Sequence, residues 1–195
     1  MTPMDTAPQT FGRYHVLAVL HRGRTGTVYL VAFGNSGKQM ALKALDPSVT
    51  NDPVLRERFI RGARATSLVQ SPHVARIYEV GVQVPSGQVW CAMELVDGRS
   101  LAEVLAEHRE RGEAMPPAEA LLIGRQLAGA LGALHAGGVV HRNVKPANVL
   151  LGVGPDGKHA IRLCGFSLVK LRETTPGEEL TARGAVMGTP AYLAP

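Results

Sequence analysis

The sequence predicts an α+β protein of two lobes, in which a five-stranded antiparallel sheet with one helix precedes a mainly helical half. Three observations support this class. Short β-branched and aromatic runs, separated by glycine turns, fill most of residues 11–95. Helix-start signals dominate the residues that follow. Apolar residues make up 45% and charged residues 19% of the 195 residues, a balance typical of a chain that buries a core.

The strands are predicted in the first half of the chain. Residues 1–10 are polar and are expected to form a disordered tail. β-branched and aromatic side chains cluster in three segments that are punctuated by glycines, which predicts strands over 11–20, 27–33 and 39–45. Two further strands are predicted over 75–82 and 88–95, separated by the turn Pro85-Ser-Gly87. Because the connections of the first three strands are short, these strands are expected to pair antiparallel.

Two helices are predicted from their first residues. Asp52 followed by Pro53 begins a helix that runs to about Val69, because an acidic N-cap and a proline at the first helical position are both favoured. Ser100 and Glu103 have the spacing of a capping box, which predicts a second helix from this point.

A third and longer helix is predicted from Pro117 to Gly137. Leucine and isoleucine side chains cover most of its circumference, so it is expected to be buried on several sides. The two lobes are predicted to join near Glu94–Gly98, which divides the chain into 11–95 and 96–195.

The composition excludes several classes of protein. The formal net charge is +5, but the basic residues are scattered and aromatic residues make up only 5%, which argues against a nucleic-acid partner. No run approaches the roughly 18 apolar residues of a membrane span, and the first ten residues lack the features of a secretory signal. Cys91 and Cys164 have no metal-ligand spacing and are predicted to be buried, reduced thiols of a cytoplasmic protein.

A glycine-rich turn and a strand lysine give the first functional signal. Gly23 and Gly26 follow the first predicted strand, and Lys43 lies on the third. Glycines let a backbone approach a polyanion closely, and a lysine supplies positive charge. Since an ordinary hairpin also explains the glycines, this pattern alone leaves phosphate binding and a plain turn both open.

The run Val140-His-Arg-Asn-Val-Lys-Pro-Ala-Asn-Val-Leu-Leu151 is far more specific. With the glycine turn and Lys43 before it and Gly188-Thr-Pro-Ala-Tyr-Leu-Ala-Pro195 after it, the order of motifs resembles the protein kinase family, specifically the bacterial Ser/Thr kinases of eukaryotic type. The resemblance covers about Phe11 to Pro195. It implies a protein-kinase-like bilobal fold and transfer of the ATP γ-phosphate to protein hydroxyls.

The resemblance assigns a phosphate-binding role to three residues of the first lobe. Gly23 and Gly26 match the second and third glycines of the phosphate loop, while His21 stands where the first glycine would be. Lys43 matches the lysine that holds the α- and β-phosphates.

Further matches to the family concern the adenine and the catalytic loop. Lys145 and Asn148 match the catalytic-loop lysine and the metal-binding asparagine. The positions that would surround the adenine, including the residue guarding the back of the pocket and the hinge, are Val28, Ala41, Met93, Glu94 to Val96, and Leu150.

Three acids of the family are missing. The catalytic-loop aspartate is replaced by Asn143, the metal-binding aspartate by Gly165, and the helix glutamate that pairs with the lysine by Gly62. An amide at Asn143 cannot accept a hydroxyl proton at neutral pH, and Gly165 offers no ligand to Mg²⁺. Gly62 removes the ion pair of Lys43 and destabilises its helix by roughly 0.5–1 kcal/mol relative to alanine. Mg²⁺ is therefore not expected, and ATP is expected to bind weakly.

These losses favour a pseudokinase over an enzyme: a kinase-fold protein without efficient phosphotransfer, with a residual nucleotide pocket and a regulatory or scaffolding role toward a protein partner. Two alternatives stay open, an active Ser/Thr kinase with a rearranged metal site and a non-functional truncated fragment. The chain ends at Pro195, where the family continues with further helices, so an incomplete second lobe that ends in the activation segment is expected.

Overall fold

The computed structural model describes residues 10–23, 25–153, 159–166, 170–171 and 192. The chain divides into two compact units, the first made of Met1–Arg56 with Tyr78–Leu95 and the second of Glu57–Ile77 with Val96–Pro195. The last division, after Leu95, lies inside the predicted join. Residues 57–77, which the prediction placed in the first lobe, group with the second unit.

A six-stranded sheet with the order β1-β2-β3-β4-β6-β5 builds most of the first unit. Its strands are β1 (Thr10–Phe11), β2 (Tyr14–Gly23), β3 (Gly26–Phe33), β4 (Lys38–Leu45), β5 (Ile77–Val82) and β6 (Val89–Met93), with a 3₁₀ turn at Gly34–Ser36. The predicted sheet had five strands, and this count is wrong. The strand predicted over 11–20 is interrupted because Gly12 takes a φ of 55°, which turns Thr10–Phe11 back onto β2.

One face of this sheet forms a hydrophobic core. Its members come from alternate positions of the strands: Phe11, Tyr14, Tyr29, Val31, Met40, Leu42, Ala44, Trp90 and Ala92. Gly81 is required at this core, because an added Cβ would lie 2.2 Å from the Trp90 ring. Since successive side chains of a strand point to opposite faces, Ala41 and Lys43 face away from the core.

Two helices follow β4. The four-residue helix α1 (Pro47–Thr50), which the sequence analysis missed, is capped by the Asp46 carboxylate. Helix α2 (Pro53–Ser67) begins at the predicted residue, and the Asp52 carboxylate accepts hydrogen bonds from the backbone N–H groups of Val54 and Leu55 at 2.8 and 3.1 Å. Because these start signals are local, the sequence located α2 correctly.

The remaining helices lie in the second unit. Helix α3 (Leu101–Glu110) has the predicted capping box, and α4 (Pro117–Ala136) has the predicted ends. Within the described residues one face of α4 is buried, and its expected burial on several sides stays a prediction that concerns the helices following Pro195 in the family. The helix buries Ile123, Ala130 and Leu134, while Leu121 is 74% exposed, because α4 packs against β8 (Val139–Val140) and β10 (His159–Leu163) with one face.

The described part of the second unit contains short strands beside its helices, so it is mixed α/β. Strands β7 (Gly98–Ser100), β9 (Val149–Val153) and β10 form a sheet in the order β10-β9-β7, and β8 pairs with β11 (Lys170–Leu171). The resemblance implied the apolar strand that precedes Gly165, which is β10. The other strands of this unit were not predicted, because segments of this length show too little periodicity. The catalytic-loop motif connects β8 to β9 and ends in a 3₁₀ turn at Pro146–Asn148.

Candidate nucleotide-binding and catalytic site

Four of the residues predicted to contact the adenine or the phosphates lie on the face of the six-stranded sheet opposite its hydrophobic core. The strand register pairs Val28 with Lys43, and Ala41 with Met93. Directly paired residues share a face, and Ala41 and Lys43 are two positions apart on β4. The fold therefore brings Val28, Ala41, Lys43 and Met93 together on one surface of the first unit.

The two predicted glycines close the β2–β3 hairpin, where Gly23 pairs with Gly26. Gly26 has a φ of 141°, and a Cβ at this position would lie 2.1 Å from the carbonyl oxygen of Ala44. The close approach of β3 to β4 thus requires glycine here, which is a packing reason that is independent of any phosphate.

The Lys43 ammonium has a partner that the sequence analysis missed. Its Nζ donates a hydrogen bond to the Thr25 hydroxyl at 3.0 Å, and the Thr25 carbonyl accepts from the backbone N–H of Asp46 at 3.2 Å. Thr25 therefore ties the tip of the glycine hairpin to β4 at two points. In the sequence, Thr25 is marked only as a hydroxyl residue between two glycines. Such residues are common in turns, so the pattern does not indicate a contact with Lys43.

The predicted hinge residues Glu94 and Val96 lie on either side of the division between the units, and both are half-buried. Leu150 lies on β9, where the register pairs it with Ser100 and Arg162.

Hydrogen bonds to a buried histidine organise the catalytic-loop segment. His141 is 1% exposed. Its Nδ1 accepts from the backbone N–H of Asn143 at 3.2 Å, so the ring proton lies on Nε2, which donates to the Cys164 carbonyl at 2.9 Å. Burial lowers the pKa of His141, and the bond to Cys164 opposes this shift. His141 acts here as a structural link between the loop and the end of β10.

Asn148 is directed toward the catalytic loop. Its side-chain Nδ2 donates to the Asn143 carbonyl at 2.7 Å, and its backbone carbonyl accepts from the backbone N–H of Cys164 at 2.8 Å. Gly165 has a φ of 86°, and a Cβ added to it would lie 2.5 Å from the Asn148 Cγ and 2.7 Å from its Oδ1. The Asn148 carboxamide thus fills the space in which a side chain at position 165 would begin.

These donors do not fit Mg²⁺. The ion takes oxygen ligands in near-octahedral geometry, and Gly165 provides no side-chain oxygen. In the described ranges no group of three or more His, Cys, Asp or Glu side chains could hold a metal ion. Half-buried Lys145 precedes Asn148, and its carbonyl accepts from the Asn148 backbone N–H at 2.9 Å.

The position of the missing helix glutamate is a buried glycine. Gly62 lies in the middle of α2, and its carbonyl accepts a hydrogen bond from the Thr66 hydroxyl at 2.8 Å. Arg58 lies one turn earlier, where burial and the charge of Arg142 lower its pKa. A cation therefore lies one helical turn before Gly62, the position at which the resemblance would place a carboxylate.

The two thiols differ in environment. Cys91 is buried on β6, and burial raises its pKa to about 12 against the opposing charge of Lys43. Cys164 is half-buried and its thiol donates to the Asn148 carbonyl at 3.3 Å. Its predicted full burial is wrong, because it lies at the end of β10 next to Gly165, which has no side chain to cover it.

Residues 14–195 match the protein kinase domain family. The chain belongs to the protein kinase family. The Ser/Thr protein kinase pkn2 of Myxococcus xanthus is 38% identical over 185 residues, which cover 94% of this chain and 21% of that protein. PknH of Mycobacterium tuberculosis, also a Ser/Thr protein kinase, is 37% identical over 185 residues, 95% of this chain and 28% of that protein. The chain therefore spans less than a third of these relatives.

Solved kinase structures share the fold. The crystal structure of the Mycobacterium tuberculosis PknI kinase domain matches with a TM-score of 0.71 and 34% identity, covering 81% of this chain and 61% of that domain. The kinase-family fold and the homology to bacterial Ser/Thr kinases, both expected from the motifs, are thereby confirmed. In the part of the kinase chain that the structure describes, no helix has the length and apolarity needed to span a membrane.

Proposed function

We propose that this kinase-family chain is a pseudokinase that binds a nucleotide without Mg²⁺, lacks efficient phosphotransfer and regulates a protein partner. One observation carries the proposal. Gly165 stands at the position of the metal-binding acid with a φ of 86°, and the Asn148 carboxamide lies where its side chain would start. The metal site thus lacks the side-chain oxygen of the acid, and the Asn148 carboxamide occupies the space next to Gly165.

The catalytic loop supports the same proposal. Asn143 cannot take up the proton of a substrate hydroxyl at neutral pH, and losing a general base costs on the order of 10²–10⁴ in rate. Losing the cation that balances developing phosphoryl charge costs at least as much, although the two effects need not multiply. A kinase turning over at about 1–100 s⁻¹ would fall to about 10⁻⁴–1 s⁻¹ through the loss of the general base alone.

The first unit supports retained nucleotide binding. Lys43 presents an ammonium on the same sheet face as Val28, Ala41 and Met93, so one polar group accompanies three apolar side chains. Such a surface suits a ligand with an apolar ring system at one end and an anion at the other. ATP has this character, and here Lys43 would hold its phosphates.

A thermal melt with ATP in EDTA tests the nucleotide part of the proposal. At a hundredfold excess over Kd, binding stabilises a protein by about 2.7 kcal/mol, which is roughly 5–11 °C in Tm for a chain of this size. We expect this shift in EDTA, no larger shift with Mg²⁺, and its loss in Lys43→Met. Lys38→Met is the matched control, because Lys38 lies on the same strand with its ammonium 5.3 Å from the centre of the Tyr78 ring.

Transfer of labelled γ-phosphate to the chain itself or to a basic carrier protein tests the catalytic part. We expect no incorporation above that of Lys43→Met. Mg²⁺-dependent incorporation that Lys43→Met abolishes would overturn the pseudokinase and establish an active Ser/Thr kinase. A cooperative melt without any ATP shift would instead remove nucleotide binding from the proposal.

A further inference from the structure

His21 stands at the first glycine position of the phosphate loop, and the sheet register places it in the same cross-strand row as Lys43, two strands away. His21 pairs with Val28 across β2 and β3, and Val28 pairs with Lys43 across β3 and β4. These three side chains share one sheet face. With neighbouring strands about 4.8 Å apart, the backbones of His21 and Lys43 are roughly 10 Å apart, a gap that their side chains and a short phosphate chain can bridge.

The His21 imidazole lies next to Gly23, at the tip of the β2–β3 hairpin. A Cβ built on Gly23 would lie 3.2 Å from the His21 Nε2 and 3.5 Å from its Cδ2, and the His21 side chain is exposed. The same end of the hairpin carries Thr25, whose hydroxyl binds the Lys43 Nζ at 3.0 Å. The Thr25 hydroxyl and the Lys43 ammonium are thus hydrogen-bonded to each other, and His21 lies on the same sheet face as Lys43.

The charges around His21 favour an anion. Lys43 lies in the same cross-strand row as His21, whereas Arg22, the next residue on β2, points to the opposite face of the sheet. Cys91 ends this row as a neutral thiol, its pKa raised to about 12. The nearby acid is Asp46 at the end of β4, whose carboxylate accepts from the backbone N–H and hydroxyl of Ser48 at 2.9 and 2.7 Å. Arg24, in the same hairpin, is outside the described residues.

We infer that His21 is an anion-binding residue that, with Lys43 and Thr25, holds a phosphate chain without a metal ion and holds it more tightly when the imidazole is protonated. The inference rests on the proposed nucleotide binding and adds a residue to it. A bound Mg²⁺ would neutralise phosphate charge, but Gly165 cannot hold the ion. An imidazolium supplies a positive charge and a charge-assisted hydrogen bond in its place.

Calorimetric titration in EDTA at pH 5.8 and pH 7.8 tests this role, with ATP and sodium tripolyphosphate as separate probes. Tripolyphosphate shows whether the phosphate chain alone is recognised. The variants are His21→Ala, the charge-retaining His21→Lys, and the matched control His15→Ala, an exposed histidine on the same strand near its pairing with β1. A melt of each variant at both pH values verifies that it is folded.

We expect the intact chain to bind both probes about tenfold more tightly at pH 5.8 than His21→Ala does, the size of one charge-assisted hydrogen bond. This advantage should shrink at pH 7.8, and His21→Lys should bind tightly at both values. Comparing variants at one pH cancels the protonation of the phosphates themselves. His15→Ala should behave like the intact chain.

Two results would overturn the inference in distinguishable ways. If His21→Ala binds both probes as tightly as the intact chain at both pH values, or more tightly, the imidazole does not hold the phosphate, although nucleotide binding stands. If the intact folded chain binds neither probe, the inference fails together with the proposed nucleotide binding.

Discussion

Replacing Gly165 with alanine should destabilise the second unit more than alanine at another glycine of similar backbone conformation. Gly165 and Gly112 have φ values of 86° and 70°. An added Cβ at Gly112 meets nothing within 4 Å, whereas at Gly165 it would lie 2.5–2.7 Å from the Asn148 carboxamide. Comparing Gly165→Ala with Gly112→Ala therefore separates the stability lost to the backbone conformation from the stability lost by displacing Asn148.

The magnitude follows from these two contributions. A side chain in the left-handed region costs roughly 1–2 kcal/mol, and both variants carry this cost. Gly165→Ala must also move the amide that donates to the Asn143 carbonyl at 2.7 Å, and the loss of such a hydrogen bond costs about 1–2 kcal/mol. The Tm of Gly165→Ala should therefore lie roughly 2–8 °C below that of Gly112→Ala.

Thermal melts followed by circular dichroism measure this difference, and both sites lie in the same unit of the fold. Gly165→Asp is the companion variant, because it adds a carboxylate to the same Cβ. We expect it to lose stability as Gly165→Ala does and to show no rise in Tm with Mg²⁺. Equal Tm values for Gly165→Ala and Gly112→Ala would refute the packing argument, and a Mg²⁺-dependent rise in Gly165→Asp would show that the metal site reopens easily.

Two further predictions concern the second unit. Burial lowers the pKa of His141, so the unfolded chain takes up a proton as the pH falls below about 6.5 while the native chain resists it. Urea denaturation should therefore show the free energy of unfolding falling from pH 7.5 to pH 5.5. If His141→Gln shows an equally steep fall over this pH range, the assignment to His141 is wrong. Ser100→Ala removes the capping box of α3 and should lower the free energy of unfolding by about 0.5–2 kcal/mol. Ser86→Ala is the control: its hydroxyl makes two long hydrogen bonds in an exposed turn, donating to the Gln83 carbonyl and accepting from the Gln88 backbone N–H, both at 3.4 Å, and its loss should change the free energy of unfolding by less than about 0.5 kcal/mol. Similar changes in both variants would argue against a stabilising cap.

The starts of α2 and α3 were predictable because their determinants are local. Asp52 caps α2 through backbone N–H groups two and three residues ahead, and Ser100 caps α3 through Glu103. Interactions of this range depend on neighbours in the sequence, so residue type and spacing were sufficient. The breaks in the sheet were less predictable, since the turn at Gly12 depends on a positive φ that the sequence permits without requiring.

The residues of the candidate site were inferred through the resemblance to kinases, and the replacement of the three acids stays a prediction from the sequence. The partners of the remaining residues were not predictable. Thr25 meets Lys43 across 18 positions, and the His141 ring binds the Cys164 carbonyl across 23. Such contacts depend on how strands and loops are brought together rather than on local preference.

The sequence by itself determined the family and the starts of α2, α3 and α4, and it predicted that the acids required for general-base and metal chemistry are replaced. Only the tertiary structure decided that β2, β3 and β4 align His21, Val28 and Lys43 in one row. It also decided that the Asn148 carboxamide lies against Gly165. The physical reason is that a missing functional group follows from residue identity alone, whereas register and close packing arise from the simultaneous fit of segments far apart in the chain.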